Sequence, residues 1–177
     1  YKALRIHSDI PLFFYILYVT KNLISIIFVT YLRKIMDIIT KANLQDLLKN
    51  VFAPWIQELR LEVREMNNEN FEFYLPENDN LVRGGGEGPP VVCGQAIASA
   101  ADTCSVLALT GFNKKFRNCT TVDMTSHFMR PLMNDGIEIK VKVLSSGRKM
   151  AVVQSSFKNS SGKLAATATC TFAFLDI

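Results

Sequence analysis

The sequence has few of the residues from which metal and redox sites are built. Only two histidines are present, and the four cysteines show no CxxC spacing. They are Cys93, Cys104, Cys119 and Cys170. No His, Cys and carboxylate cluster has metal-site spacing, so we expect no metal and no cofactor. Cysteines in apolar surroundings are typical of buried, reduced thiols, which favours a reducing compartment such as the cytoplasm.

A net positive charge is missing from the main body of the chain. The net charge is +4, but residues 1–35 hold five Lys and Arg against one Asp, and residues 36–177 carry 15 basic and 15 acidic residues. Without a basic stripe or interleaved aromatics, we expect no nucleic-acid binding. Charge of either sign is scarce between Pro89 and Asn113, where Asp102 is the only ionisable group besides thiols.

Residues 10–32 form a long apolar run, "IPLFFYILYVTKNLISIIFVTYL", followed by Arg33 and Lys34. This pattern is compatible with a signal anchor, although Lys21 near its middle is costly in a lipid-facing span. Residues 10–40 also contain no Ala, Gly, Glu or Gln. We hypothesise that Met36 is the natural start and that residues 1–35 are translated upstream sequence. A membrane anchor and an extra packed helix are the alternatives.

Residues 36–177 form one domain, since nearly half of the sequence is hydrophobic. Residues 37–54 predict an amphipathic helix, with Leu44, Leu47, Leu48 and Val51 at helical spacing. Alternation in residues 59–66 and 71–75 predicts a hairpin. A Gly/Pro-rich loop follows at 76–92 without a phosphate-binding motif, and residues 93–110 predict a helix of small side chains. Strands are predicted at about 117–130, 135–145, 148–158 and 163–175. This order indicates an α+β domain in which long antiparallel strands wrap one apolar helix.

Four segments in this order resemble the hotdog-fold acyl-CoA thioesterases, in the group that includes the phenylacetate-pathway and hydroxybenzoyl-CoA enzymes. They are "VVCGQAIASAADT", "TTVDMTSHFMRP", "VLSSGRKMAVVQSSF" and "GKLAATATCTFAF". The resemblance covers residues 55–175. It implies a hotdog fold, a long antiparallel sheet around a central helix with an extra N-terminal helix. It also implies hydrolysis of acyl-CoA thioesters to free acid and CoA.

The resemblance assigns a catalytic role to Asp102, because family members have a carboxylate eight residues after a helix N-terminal glycine, here Gly94. The structural alternative is a buried Asp that hydrogen-bonds Thr103 or Ser99. Eight helical residues span about 12 Å, so Gly94 and Asp102 of one chain cannot both touch one thioester carbon. Two antiparallel helices across a two-fold axis would bring them together, which predicts a homodimer with two sites, as in the family, where tetramers are also found.

The roles implied for these residues follow the chemistry of thioester cleavage. Backbone N–H groups at Gly94 or Gln95 would polarise the carbonyl and stabilise the oxyanion. Asp102 would activate water as a general base, or attack directly to form an anhydride. Thr121 matches the hydroxyl that orients the water in relatives, and its alternative is an ordinary strand threonine.

The sequence departs from the family where Cys93 and Gln95 replace the first and third residues of a His-Gly-Gly motif. Relatives also have a helpful Asn upstream of this motif. It has no clear counterpart in this sequence, where Glu87 is the nearest residue by spacing. Cys93 is either a nucleophile activated by the helix N-terminus or a packing residue. His127 is interpreted as a structural histidine. The candidate substrate-binding residues are Cys93 and Glu87 and, for the CoA phosphates, Arg83, Arg130, Arg148 and Lys149.

Two other functions are compatible with the fold. One is a non-catalytic module that binds acyl-CoA or an acyl carrier, and the other is a dehydratase or hydratase, which would require a histidine near the central helix. The acyl group and the choice between CoA and carrier protein stay open. We expect the far end of the pocket to be lined by residues before Pro54 and by Phe71 or Phe73.

Overall fold

Helix α1 spans Lys41–Asn50 and begins at a capping box. The Thr40 hydroxyl accepts from the Asn43 amide at 3.2 Å, and the Asn43 side chain accepts from the Thr40 amide at 2.9 Å. Leu44 and Leu48 are buried as predicted. The prediction for Val51 is wrong: the helix ends before it, and Val51 is 47% exposed as the C-cap.

The computed structural model describes residues 39–67, 70–84 and 88–175. The predictions for residues 1–35 and for Glu87 lie outside the described residues. Within the described ranges, no helix is both long and apolar enough to cross a membrane.

The predicted hairpin is confirmed as strands β1, Glu62–Met66, and β2, Asn70–Leu75, which pair antiparallel. A six-residue 3-10 helix, Pro54–Leu59, precedes it and includes Leu59, which the alternation had placed in the strand. The buried face of this region alternates as expected. Its members are Leu61, Val63, Phe71, Phe73 and Leu75.

Helix α2 spans Gly94–Asn113, three residues beyond its predicted end. The helix continues through Gly111. This residue touches the buried ring of Phe71, and a Cβ there would collide with Phe71 Cε1. The chain leaves the helix at Lys114, which has a left-handed φ of 58°. The helix can therefore approach the sheet closely at this point because residue 111 is a glycine and has no side chain.

Four long strands follow α2, close to their predicted bounds. They are β3 (Cys119–Phe128), β4 (Ile137–Ser146), β5 (Met150–Lys158) and β6 (Leu164–Phe174). All strand pairs are antiparallel, in the order β1-β2-β4-β5-β6-β3. The core lies between this sheet and α2, which packs against β2 to β6. The α+β architecture predicted from the sequence is confirmed.

Strand β3 forms one edge of the sheet, and its helix-side face is open. Met124 and Phe128 pair in register with Cys170 and Ala166, which are buried beneath α2. Directly paired residues share a face, so Met124 and Phe128 point to the same side as the helix. They are nevertheless 38% and 55% exposed.

Candidate active site

The first of two cavities along α2 lies at its N-terminus. It has a volume of about 480 Å³ and is lined by the start of α2, the preceding loop and the end of β3. Among its walls are Cys93, Gly94, Gln95, Phe128 and Arg130. Backbone amides in the first turn of a helix have no partner within the helix, so they are available to an oxygen in this cavity.

Cys93 is the N-cap of α2, but its side chain makes no capping hydrogen bond. Its amide donates to Leu81 O at 2.8 Å, which ties the helix start to the preceding loop. The ring of Phe128 lies against Gly94, where an added Cβ would be 3.5 Å from Phe128 Cζ. This is an ordinary contact distance, so packing within one chain does not explain the glycine.

The second cavity contains Asp102 and has a volume of about 350 Å³. It is mainly apolar, and Asp102 is half-buried on the helix stripe that faces it. The residues around the carboxylate are Trp55, Ile56, Ala98, Ser99, Thr121 and Met124.

Thr121 Oγ1 donates to Asp102 Oδ1 at 2.6 Å. This is a short, charge-assisted hydrogen bond that holds the carboxylate against β3. The sequence had offered Ser99 or Thr103 as alternative partners of Asp102. In the structure the Ser99 hydroxyl donates instead to Gln95 O at 2.8 Å, and Thr103 is buried. Asp102 is thus bonded across to the sheet and not within its own helix.

A β-bulge explains why Thr121 reaches Asp102. The register between β3 and β6 shifts between Thr121 and Asp123. Thr121 and Met124 are three residues apart and would face opposite sides of a regular strand. The extra residue at Val122 brings both to the helix side, where they line the Asp102 cavity. Sequence alternation gave no signal for this bulge.

One chain does not bring Gly94 and Asp102 to one point. They line separate cavities, and about 12 Å of helix separates them. The catalytic roles of Asp102, Gly94, Gln95 and Thr121 stay predictions. What the structure adds is the direct contact between Asp102 and Thr121.

The candidate phosphate ligands fall into two groups. Arg83 and Arg130 line the N-terminal cavity, and Arg130 Nη1 donates to Leu164 O at 2.6 Å. Arg148 and Lys149 line neither cavity. They follow β4, whose last residue Ser146 donates to Asn113 at the other end of α2, at 2.9 Å.

The thiols and His127 differ in burial, and the negative charge of Asp102 adds to the effect of burial on the pKa of Cys170. Cys104 and Cys170 are buried, and burial raises the pKa of both, that of Cys170 to about 11. Cys93 and Cys119 are only half-buried. His127 pairs with Thr167 and is exposed on the face of β3 that points away from α2. The interpretation of His127 as a structural histidine stays a prediction, and its side chain is exposed.

Phe71 and Phe73, expected at the acyl end of the pocket, line neither cavity along α2. Phe71 and Phe73 are 1% and 2% exposed, because they pack in the core under α2. Trp55 and Ile56, just after Pro54, line the Asp102 cavity instead. Sequence reasoning missed Trp55, although a single Trp next to a Pro-initiated turn was a usable signal.

Comparison with known proteins finds similarity to one family. Residues 91–166 match the sequence profile of the thioesterase superfamily. None of the curated proteins matches the sequence. A thioesterase from Haemophilus influenzae has a similar structure, with a TM-score of 0.67 at 19% identity over 77% of this chain and 91% of its own.

Two further structures are similar. Zebrafish thioesterase superfamily member 2 gives a TM-score of 0.66 at 20% identity, over 76% of this chain and 98% of its own. A hypothetical thioesterase from Streptococcus pneumoniae, crystallised with coenzyme A, gives 0.59 at 16% identity, over 67% and 89%. Profile and fold agree: residues 91–166 are similar to the thioesterase superfamily, and the chain has the hotdog fold of these structures.

Proposed function

We propose that this protein hydrolyses acyl-CoA thioesters to the free acid and CoA, with Asp102 as the catalytic carboxylate. The observation that carries the proposal is the hydrogen bond from Thr121 to Asp102 beside a mainly apolar cavity that is open to solvent. A carboxylate that is oriented by a hydroxyl at such a cavity is a candidate catalytic group. The similarity of residues 91–166 to the thioesterase superfamily supports the reaction class.

In this reaction Asp102 takes a proton from water, and the resulting hydroxide adds to the thioester carbonyl. The tetrahedral intermediate expels the CoA thiolate as the C–S bond breaks, and the thiolate takes the proton from Asp102. Direct attack by Asp102 would instead pass through an anhydride that water hydrolyses. In both routes the hydrogen bond from Thr121 fixes the orientation of the carboxylate.

The oxyanion donors come from a second copy of the chain. Gly94 and Gln95 of one protomer are too far from its own Asp102 to share a substrate carbon. A two-fold axis with antiparallel α2 helices places the helix N-terminus of the partner beside Asp102. The open face of β3 supports such a dimer, since Met124 lines the Asp102 cavity and Phe128 lines the N-terminal cavity.

In the same dimer, the basic residues proposed to bind the CoA phosphates fall into two groups. Arg83 and Arg130 are at the N-terminal cavity of one protomer. In an antiparallel pair, the C-terminal end of the partner's α2 lies beyond that cavity, and Arg148 and Lys149 follow the strand bonded to this end. The relative crystallised with coenzyme A supports CoA as the thiol portion of the substrate.

The four free thiols support a cytoplasmic location.

Thiol release from a panel of acyl-CoA substrates tests the proposal. We expect Asp102→Asn to lower kcat by about 10² to 10⁴. Asp123→Asn is the matched control and should retain wild-type activity, because Asp123 is an exposed aspartate of β3 that is close in sequence to Thr121. Full activity of Asp102→Asn would refute the proposal. Binding of acyl-CoA without turnover by the wild type would instead indicate the non-catalytic module.

A further inference from the structure

The end of the sheet where α2 stops is built from three chain segments that are bonded to one another. Arg117 donates to Gly147 O at 3.0 Å and to Arg148 O at 2.8 Å. The amide of Leu175 donates to Asn118 O at 2.8 Å. We call this end the basic tip and define it as residues 112–118, 144–150 and 173–175.

Large apolar side chains are exposed on the basic tip. The exposed fractions range from 36% to 55%. The residues are Phe112, Phe116, Leu144, Met150 and Leu175. Five large apolar side chains are therefore exposed at one end of the sheet, Phe112 on the helix side and Met150 on the opposite side, and exposed apolar side chains that are grouped in this way are common at interaction surfaces.

Basic residues alternate with these apolar side chains in the sequence. They are Lys114, Lys115, Arg117, Arg148 and Lys149. The three segments of the basic tip contain no Asp or Glu, and neither does the whole stretch 139–175. This local excess of positive charge is hidden in the near-neutral composition of residues 36–177, because the acidic residues are concentrated earlier in the chain.

From these observations we propose that the basic tip docks on an anionic membrane surface. Lysine and arginine side chains are attracted to the anionic headgroups of such a surface. The exposed aromatic and aliphatic side chains beside them can bury into the boundary between headgroups and acyl chains. The tip is made of a turn, a loop and a strand end, and its residues line neither cavity of the candidate site.

This docking does not depend on the proposed catalytic roles. The N-terminal cavity is at the opposite end of α2, about 30 Å away for a helix of this length. Arg148 and Lys149 are also candidate CoA ligands, so a test of docking leaves them unchanged. Lys115 and Phe116 carry no proposed catalytic or CoA-binding role. One contributes a positive charge to the tip and the other an exposed apolar side chain.

Co-sedimentation of the full chain with vesicles tests the proposal. The vesicles are phosphatidylcholine alone, or phosphatidylcholine with 30% phosphatidylserine, at about 0.1 M and 0.5 M salt, where screening differs strongly. We expect the wild type to bind the anionic vesicles and to be released by salt. The double variant Lys115→Glu/Phe116→Ser should partition roughly tenfold more weakly.

The matched control is Lys163→Glu/Leu164→Ser. Leu164 is 39% exposed, as is Phe116, and it lies at the far end of β6. Any binding through residues 1–35 is common to all three proteins, so the comparison isolates the tip. Circular dichroism and melting temperature verify that each variant is folded.

Three outcomes would overturn the proposal. Wild-type protein that does not sediment with anionic vesicles would do so, as would equal loss of binding in the tip variant and its control. A tip variant that binds vesicles normally but elutes as a smaller oligomer would show that the tip contacts a second copy of the chain.

Discussion

Thr121 and Asp102 connect strand β3 to the central helix by a hydrogen bond of 2.6 Å. The contact exists because a bulge after Thr121 keeps its hydroxyl on the helix side of the strand while Met124 also faces the helix. A regular strand would have turned one of these two side chains away. The bulge therefore shapes both the polar and the apolar wall of the Asp102 cavity.

The first prediction concerns the hydroxyl of Thr121. Thr121→Val keeps the shape of the side chain but removes the donor, so kcat should fall about ten- to hundredfold, the range for a hydrogen bond to a charged group. Thr121→Ser keeps the donor and should retain most of the activity. Steady-state thiol release measures both, and equal rates for Val and Ser would assign Thr121 a packing role only.

A second prediction follows from the separation of Gly94 and Asp102. Gly94→Ala should fold, since its Cβ would make an ordinary contact with Phe128, but should obstruct the approach of the thioester to the helix N-terminus. Mixing this variant with Asp102→Asn after dissociation and reassociation should restore about a quarter of wild-type activity, because half of the dimers are mixed and each has one intact site. Activity that stays at the level of the separate variants would contradict a shared site.

Trp55 should determine which acyl groups are accepted. Its indole lines the Asp102 cavity and is 59% exposed. Trp55→Ala removes an apolar wall and should lower kcat/KM for acyl groups long enough to reach it by roughly tenfold. Acetyl-CoA turnover and thermal stability should change little, because exposed positions contribute little to stability.

Trp55→Phe is the conservative control and should have intermediate selectivity. An unchanged ratio of long-chain to acetyl turnover in Trp55→Ala would remove Trp55 from the substrate site without affecting the catalytic proposal, which depends on Asp102.

Buried thiols should make stability depend on alkaline pH. Burial raises the pKa of Cys170 from its ordinary value of 9.0 to about 11. The fold therefore favours the neutral thiol, whose contribution is complete below about pH 9 and is lost as the pH rises through about 11. Urea unfolding under reducing conditions at pH 8 and pH 10.5 should show lower stability at the higher pH.

Cys170→Ala should reduce this pH dependence, and the part that remains is expected from the buried thiol of Cys104, whose pKa burial also raises. A slope that is the same in wild type and Cys170→Ala would assign the alkaline loss of stability to other groups.

The periodicity of the chain was sufficient to predict most of the architecture. Alternation at Phe71, Phe73 and Leu75 places these residues in the core because a strand with one buried face has a period of two. The same rule failed at Leu59, which a 3-10 turn buries, and at Val51, which falls past a helix end that depends on local capping. Such endings depend on contacts that periodicity does not contain.

Residue type and spacing along α2 determined that Asp102 is the lone carboxylate of an apolar helix and that Gly94 lies too far away to share its substrate, because helical rise is fixed by the backbone. Only the tertiary structure decided what surrounds that carboxylate. The bulge in β3 selected Thr121 as its partner, the 3-10 turn brought Trp55 to its cavity, and packing under α2 removed Phe71 and Phe73 from it. These contacts join residues 19 or more positions apart in the sequence, as in the bond between Asp102 and Thr121. They form only when helix and sheet pack together.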